Sequence, residues 1–469
     1  MQTLKRILIF VMLIAMLAAC SPAAPAEPAV EEPAAPVEEA PAEPAEVEEP
    51  VAEEPVVEPV VEEPAMDPVT IQVYYPVAVD APITAILDGY VDAFEAEYPY
   101  ITVEPVYSGG YADIQTAIQT TIEGGGTPPA LAVLLANSLN DLINADYIAP
   151  MDQYVDAMEN GQAYLDDFLP AFMANSYKDG QLWSIPFQRS AVVLYYNVEK
   201  FADAGLEPPT SWQTWAEAAQ ALTSTDGSTP NWGLKFSSDW PYWLFQPLAI
   251  GAGQNIFVDE CTMAFNDPKV VEAVQFYIDL SKVYGAMPEG VQASWATDTA
   301  DFASGSVAMI AHTTGSLTGL LAQADFTIGV MPYPGKEEGT YASVPGGGNF
   351  YIMKDAPQEQ KDAAWKFIEF ITSPELAADY SIQTGYIASR MSAYDTPAMQ
   401  EYTAEVPQAL QARDALQYAQ GELDIQNLGQ VRSIFHNYIQ KAFNGEMSAQ
   451  DAMDAAQSEA EAALEPFCQ

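Results

Sequence analysis

Val69-Thr70-Ile71-Gln72-Val73-Tyr74-Tyr75, Ile101-Thr102-Val103-Glu104-Pro105-Val106-Tyr107 and Ala130-Leu131-Ala132-Val133-Leu134-Leu135 are three short apolar runs that read as strands. Between the first two, Ala85 to Tyr98 carries Ile86, Tyr90, Val91 and Phe94 at helical spacing. Between the second and third, Ala112 to Glu123 is a second helix, broken by Gly124-Gly125-Gly126-Thr127-Pro128-Pro129. Strand–helix–strand alternation with short turns predicts an open α/β sheet with right-handed crossovers. Ala191 to Asn197 reads as a further strand after Pro186. Helices dominate beyond it: Trp212 to Leu222 behind Ser211, Pro268 to Tyr284, Lys361 to Ile371, Pro374 to Gln383 and Ala449 to Leu464. About 400 residues of mixed α/β exceed what one core usually holds, so two lobes are expected.

Upstream of this body the composition changes twice. Lys5 and Arg6 precede an apolar run from Ile7 to Ala19, the layout of a secretory signal over residues 1–20. Leu17-Ala18-Ala19-Cys20 resembles the bacterial lipobox, which implies that Cys20 carries lipid and tethers the chain outside the cytoplasmic membrane. Residues 21–68 repeat Glu, Pro, Ala and Val, with 15 acidic and no basic side chains. Proline every few residues and like-charge repulsion predict an extended, disordered stalk.

The full chain of 469 residues holds 66 acidic and 16 basic side chains, a formal net charge of −50. Residues 69–469 keep 51 acidic and 14 basic, a net of −37, so the folded part is acidic too. Such a surface has no means of neutralising phosphates, which excludes nucleic acid as a partner and leaves the lipid as the membrane contact. Two histidines and three cysteines are too few for most zinc or iron–sulfur arrangements, and no metal or cofactor is expected. Cys261 and Cys468, left once Cys20 is acylated, either pair in an oxidising compartment or stay free thiols.

Catalytic motifs are missing. There is no GxSxG elbow, HExxH, phosphate loop or CxxC pair, and no catalytic residue is assigned. His312 and His436 read as ordinary surface or core histidines. Paired carboxylates for glycoside hydrolysis stay open, because 51 acids offer many pairs and single out none.

Several stretches, in order, resemble the extracellular solute-binding proteins of ABC importers, family 1, and most closely their glycerol-3-phosphate-binding branch. They include Pro186-Phe187-Gln188-Arg189-Ser190-Ala191, Phe201-Ala202-Asp203-Ala204-Gly205-Leu206, Pro209-Thr210-Ser211-Trp212 and Gly305-Ser306-Val307-Ala308-Met309. Further on come Gly315-Ser316-Leu317, Gly329-Val330-Met331-Pro332-Tyr333, Pro345-Gly346-Gly347-Gly348, Ala364-Trp365-Lys366-Phe367-Ile368 and Thr384-Gly385-Tyr386. The resemblance implies a two-lobed, periplasmic-binding-protein-like α/β fold of type II with discontinuous lobes and a ligand cleft between them. It puts residues 69–188 and 331–372 in lobe 1 and residues 189–330 and 373–469 in lobe 2. Crossings fall near 186–192, 326–332 and 371–376.

The same resemblance implies a site. Tyr111 matches a tyrosine aimed at the ligand, and Trp240 and Trp243 match paired tryptophans of the second lobe, although their spacing of three also fits one helical face of a core. Ser190, Ser316 and the Gly346-Gly347 backbone match hydroxyl and N–H donors, the two serines also fitting turn hydroxyls. Tyr386 and Arg432 match groups that hold a phosphate, where a guanidinium donates two hydrogen bonds at once, although Arg432 also fits a pair with one of the many surface acids. The branch has a glutamate that reads glycerol hydroxyls after the strand matching Ala130 to Leu135. Here that place holds Ala136-Asn137, and Asn137 takes the role. Arg189 replaces one serine of the branch and either adds a cation for an anionic ligand or pairs with a carboxylate and reshapes the pocket. The expectation is a monomeric, lipid-anchored receptor, not an enzyme. It would deliver a polyol, sugar or glycerophosphate to an ABC permease. A secreted glycoside hydrolase and a stalked surface adhesion protein are the rival readings.

Overall fold

The computed structural model describes residues 66–226 and 230–468; the leader, Cys20 and the stalk up to residue 65 lie outside the described residues. In chain order the elements that position the site begin with β1 (Val69–Tyr75), α1 (Ile83–Glu97), β2 (Ile101–Tyr107), α2 (Tyr111–Glu123) and β3 (Leu131–Leu135). Then come β4 (Ile185–Asn197), α3 (Trp212–Ala221), β5 (Lys235–Phe236), α4 (Pro241–Ala252), α5 (Pro268–Lys282), α6 (Trp295–Ala303), β6 (Met309–Thr313), α7 (Leu317–Gln323) and β7 (Ile328–Met331). The last are β8 (Pro345–Ile352), α8 (Gln358–Ile371), α9 (Pro374–Thr384), α10 (Leu428–Phe443) and α11 (Ala449–Leu464).

One sheet runs through the body in the order β2-β1-β3-β8-β4-β6-β5, with β7 also on β4. β1 pairs in parallel with β2 and β3, as strand–helix–strand units require. β8 runs antiparallel to both β3 and β4. The hinge of the fold is β4: its residues up to Ala191 pair with β8, and those from Val192 pair with β6 and β7. This strand starts at Ile185, ahead of the expected Ala191. Pro186 does not end it, because Pro186 faces Asn349 where the register shifts after Gly348, and at a bulge the missing N–H leaves no gap in the ladder.

Two large cores flank the crossing. The first collects Ile71, Val73, Phe94, Leu131, Phe350, Trp365 and Ile368. The second collects Trp212, Trp215, Phe245, Phe276, Phe435 and Met453. Local sequence explains how each helix presents its face. Ser211 accepts a hydrogen bond from the Thr214 N–H at the start of α3. Ala449, Ala452, Ala456 and Ala460 recur at three and four residues along α11 and are all buried, letting that helix lie close to its neighbours. The crossing on β4 falls within 186–192, as the resemblance implies, whereas the later ones come at other places. Tyr333, Ala342 and Val344 lie in the second core, because β7 still pairs with β4, so the return comes at β8. Tyr380 and Tyr386 lie in the first core, where Tyr380 packs on Phe187, so α9 stays with lobe 1. Cys261 and Cys468 are disulfide-bonded, joining the turn at Cys261 to the end of the chain.

Candidate functional site

Between the two cores opens a cleft of ≈ 60 Å³, smaller than the roughly 300–1,000 Å³ usual for small-ligand sites. The first lobe contributes Ala78 and Val79, Tyr111, Leu135, Gly347 and Tyr386. Facing them are Ser190 on β4, Trp240, Tyr242 and Trp243 around the start of α4, Trp295, Thr313 and Glu422.

The aromatic wall follows from local sequence. Trp240 precedes Pro241, the first residue of α4, and is therefore kept out of helical conformation, with φ −131° and ψ 54°. Its ring packs against both cores. Trp243, one turn on, is buried, and its Nε1–H donates to the Pro345 carbonyl at 2.9 Å. Gly346 lets it in: a Cβ there would sit 2.5 Å from the indole ring. Gly347, at φ +92°, brings its backbone so near β4 that a Cβ would meet the Gln188 carbonyl oxygen at 1.9 Å. On the first lobe the Tyr111 hydroxyl donates to Gln188 Oε1 at 3.3 Å, and Gln188 Nε2 donates to the Tyr380 hydroxyl at 2.8 Å. Tyr380 stacks on Tyr386 with ring centroids 5.8 Å apart, so the two cleft tyrosines are fixed through one network.

Of the residues expected at the site, Tyr111, Ser190, Trp240, Trp243, Gly347 and Tyr386 line the cleft. Five do not. Gly346 lies beneath Trp243. Arg189 points to the other face of β4 from Ser190, since neighbours on a strand alternate. It is fully buried, its Nη1 donates to Asn349 Oδ1 at 2.7 Å, and its guanidinium lies 4.9 Å from the Phe172 ring centre. Burial pulls its pKa down to about 10. Ser316 is buried in the turn that opens α7. Arg432, on α10, holds its guanidinium 5.9 Å from the Trp240 ring centre, beside the wall. Asn137 lies behind the cleft, where its Nδ2 donates to the Tyr242 hydroxyl at 3.1 Å, Glu422 Oε1 at 2.9 Å and the Leu423 carbonyl at 3.0 Å.

Sequence reasoning missed Tyr242, Trp295, Thr313 and Glu422. Tyr242 sits inside the Asp239-Trp240-Pro241-Tyr242-Trp243 stretch that was read for its tryptophans. Glu422 was one acid among many. It is 3% exposed, its Oε1 accepts from Asn137 and from the Tyr242 hydroxyl at 3.2 Å, and burial pushes its carboxyl up to about 8 against the pull of Arg189 and Arg432. The two histidines brace aromatic rings. His312 is buried, burial pulls its imidazole down to about 3, and its ring centre lies 3.7 Å from that of Trp295. His436 Nε2 accepts the Tyr242 backbone N–H at 3.2 Å. Among the described residues no group of three or more His, Cys, Asp or Glu could hold a metal ion.

The description bacterial extracellular solute-binding protein matches residues 89–408. The sn-glycerol-3-phosphate-binding periplasmic protein UgpB of Yersinia enterocolitica is 27% identical over 406 residues, covering 81% of this chain and 89% of that protein. UgpB of Escherichia coli K12 is 26% identical over 396 residues, covering 79% and 87%. The structure of UgpB from Mycobacterium tuberculosis in complex with glycerophosphocholine aligns with a TM-score of 0.76 at 23% identity, over 86% of this chain and all of that one. Maltose-bound MalE3 of T. maritima aligns at 0.73 and 20% identity, over 84% of this chain and all of that one. A single family description thus spans most of the folded body, with residues of both lobes, and the chain belongs to the bacterial extracellular solute-binding proteins.

Proposed function

We propose that this chain is the ligand-capturing receptor of an ABC importer and has no chemistry of its own. A polyol of the glycerophosphate or sugar type enters between the lobes, is held there as they close, and is handed to a membrane permease. The observation that carries this reading is the facing of aromatic rings from both lobes across one cleft, with Ser190, Thr313 and Glu422 among them. Flat rings suit the C–H face of a polyol, and the hydroxyls and carboxyl suit its oxygens. A cleft shared by two lobes also lets ligand favour the closed state, which gives a permease a shape to distinguish. Relatives named for sn-glycerol-3-phosphate and neighbours solved with glycerophosphocholine or maltose support the polyol class. The Leu17-Ala18-Ala19-Cys20 sequence supports a lipid anchor at Cys20, with residues 21–68 as spacer.

Thermal denaturation of the purified full chain against sn-glycerol-3-phosphate, glycerophosphocholine, glucose, maltose and maltotriose tests the reading. A true ligand at 100 times its dissociation constant stabilises the fold by about 2.7 kcal/mol, a clear rise in midpoint. No rise with any of the five removes the polyol receptor.

A further inference from the structure

We infer that Glu422 sets the ligand class of the cleft, selecting a neutral saccharide or polyol over a phosphomonoester. This rests on the receptor reading above and narrows it. Among the described residues that line the cleft there is no Lys, Arg or His, and Glu422 is the one carboxyl. Its position is set from behind. Asn137 and Tyr242 both bond Oε1, while Oε2 takes no protein donor among the described residues. The carboxyl is therefore held still with one oxygen left for a ligand, and a carboxyl oxygen accepts hydroxyl protons.

The cations that could have welcomed phosphate are placed elsewhere. Arg189 lies on the far face of β4, with Nη1 on Asn349 and its guanidinium over the Phe172 ring, while Nε and Nη2 take no hydrogen-bond partner among the described residues. Arg432 sits beside the Trp240 ring and is not part of the lining. A phosphomonoester brought to this wall would find no cation in the lining to offset its lost hydration, and above about pH 8, where Glu422 ionises, it would also meet a like charge. A saccharide lays its C–H face on Trp240 or Trp243 and turns a hydroxyl to Glu422 with no such conflict.

Calorimetric titration at pH 9, where Glu422 is ionised, of the full chain and of Glu422→Gln with glucose, maltose, maltotriose and sn-glycerol-3-phosphate decides it. At least one saccharide should bind the unaltered chain tenfold or more tightly than the phosphate. Glu422→Gln, which keeps an acceptor for Asn137, should shrink that ratio at least tenfold. Phosphate binding as tight as every saccharide, or a ratio that Glu422→Gln leaves unchanged, overturns the inference while the receptor reading stands. Binding of neither class overturns both. Should the Gln variant not fold, the ranking on the unaltered chain decides alone.

Discussion

Trp243 serves the wall and the core at once, and the residue that permits this is Gly346. The indole belongs to the second lobe's core, yet its edge lines the cleft and its N–H is satisfied by the Pro345 carbonyl. That bond and the bare backbone of Gly346 seat the ring where two lobes meet. A methyl group at Gly346 would meet the ring at 2.5 Å, a distance no side-chain adjustment of the neighbour absorbs cheaply. Gly346→Ala is expected to displace Trp243, lower stability by about 1–3 kcal/mol as other overpacked sites do, and weaken ligand binding at least tenfold. Urea denaturation and calorimetry on the same sample check both halves. Full affinity with reduced stability would mean that Trp243 serves the core alone.

At the scale of elements, the lobes meet along a polar seam. Asn137, Asn140 and Asn144 follow β3 at spacings of three and four, so they share one face of the helical segment there. Opposite them Glu422, Asp424 and Gln426 alternate along an extended stretch whose other residues, Leu423 and Ile425, sink into the second core. The two faces interlock: Asn137 donates to Glu422 at 2.9 Å, Asn140 to Asp424 Oδ1 at 2.9 Å, and Asn144 to Gln426. Asn175 adds a second donor to Asp424 at 3.2 Å. Asn140→Ala strips a half-buried carboxyl of one partner, which costs about 1–3 kcal/mol where no water replaces it. The variant should therefore open further than the parent in small-angle scattering without ligand, and an unchanged radius of gyration would show that the seam does not hold the lobes. Strands β1 to β3 were legible in the sequence because each is a β-branched or apolar run bounded by turn residues. The cleft aromatics Tyr111, Trp240, Trp243 and Tyr386 were legible through motif order. The seam was not, because its acids stand in a stretch with no helical or strand period long enough to read, in a chain crowded with acids. Arg189 and Ser190 are adjacent on a strand, so both could not face one cleft, and alternation alone would have turned one away.

Across the whole molecule, buried ionisable groups tie stability to pH in a direction that can be worked out. Burial raises Glu422 from 4.5 to about 8, Asp298 from 3.8 to about 7 and Asp424 from 3.8 to about 6. In each case the folded chain keeps a proton that the unfolded chain has released, so stability falls as pH rises from the unfolded value to the folded one. The histidines act at the other end. Burial lowers His312 from 6.5 to about 3 and His436 from 6.5 to about 4, so their contribution is complete about a unit above pH 6.5 and is lost as pH falls through it. The two effects separate between about pH 7.5 and 8.5. There the histidines are neutral in both states, and Glu422 carries the slope. One proton corresponds to about 1.4 kcal/mol per pH unit at most. The net charge of −37 on residues 69–469 also disfavours the fold as pH rises, but exposed charges are screened over about 3 Å at 1 M salt while a buried carboxyl is screened far less. Denaturation in 1 M salt should therefore still show stability falling from about pH 7.5 to 8.5, and Glu422→Gln should flatten most of that fall. A parent chain whose stability is level or rising over this window would mean that Glu422 is already ionised in the closed cleft, with Arg189 and Arg432 outweighing its burial.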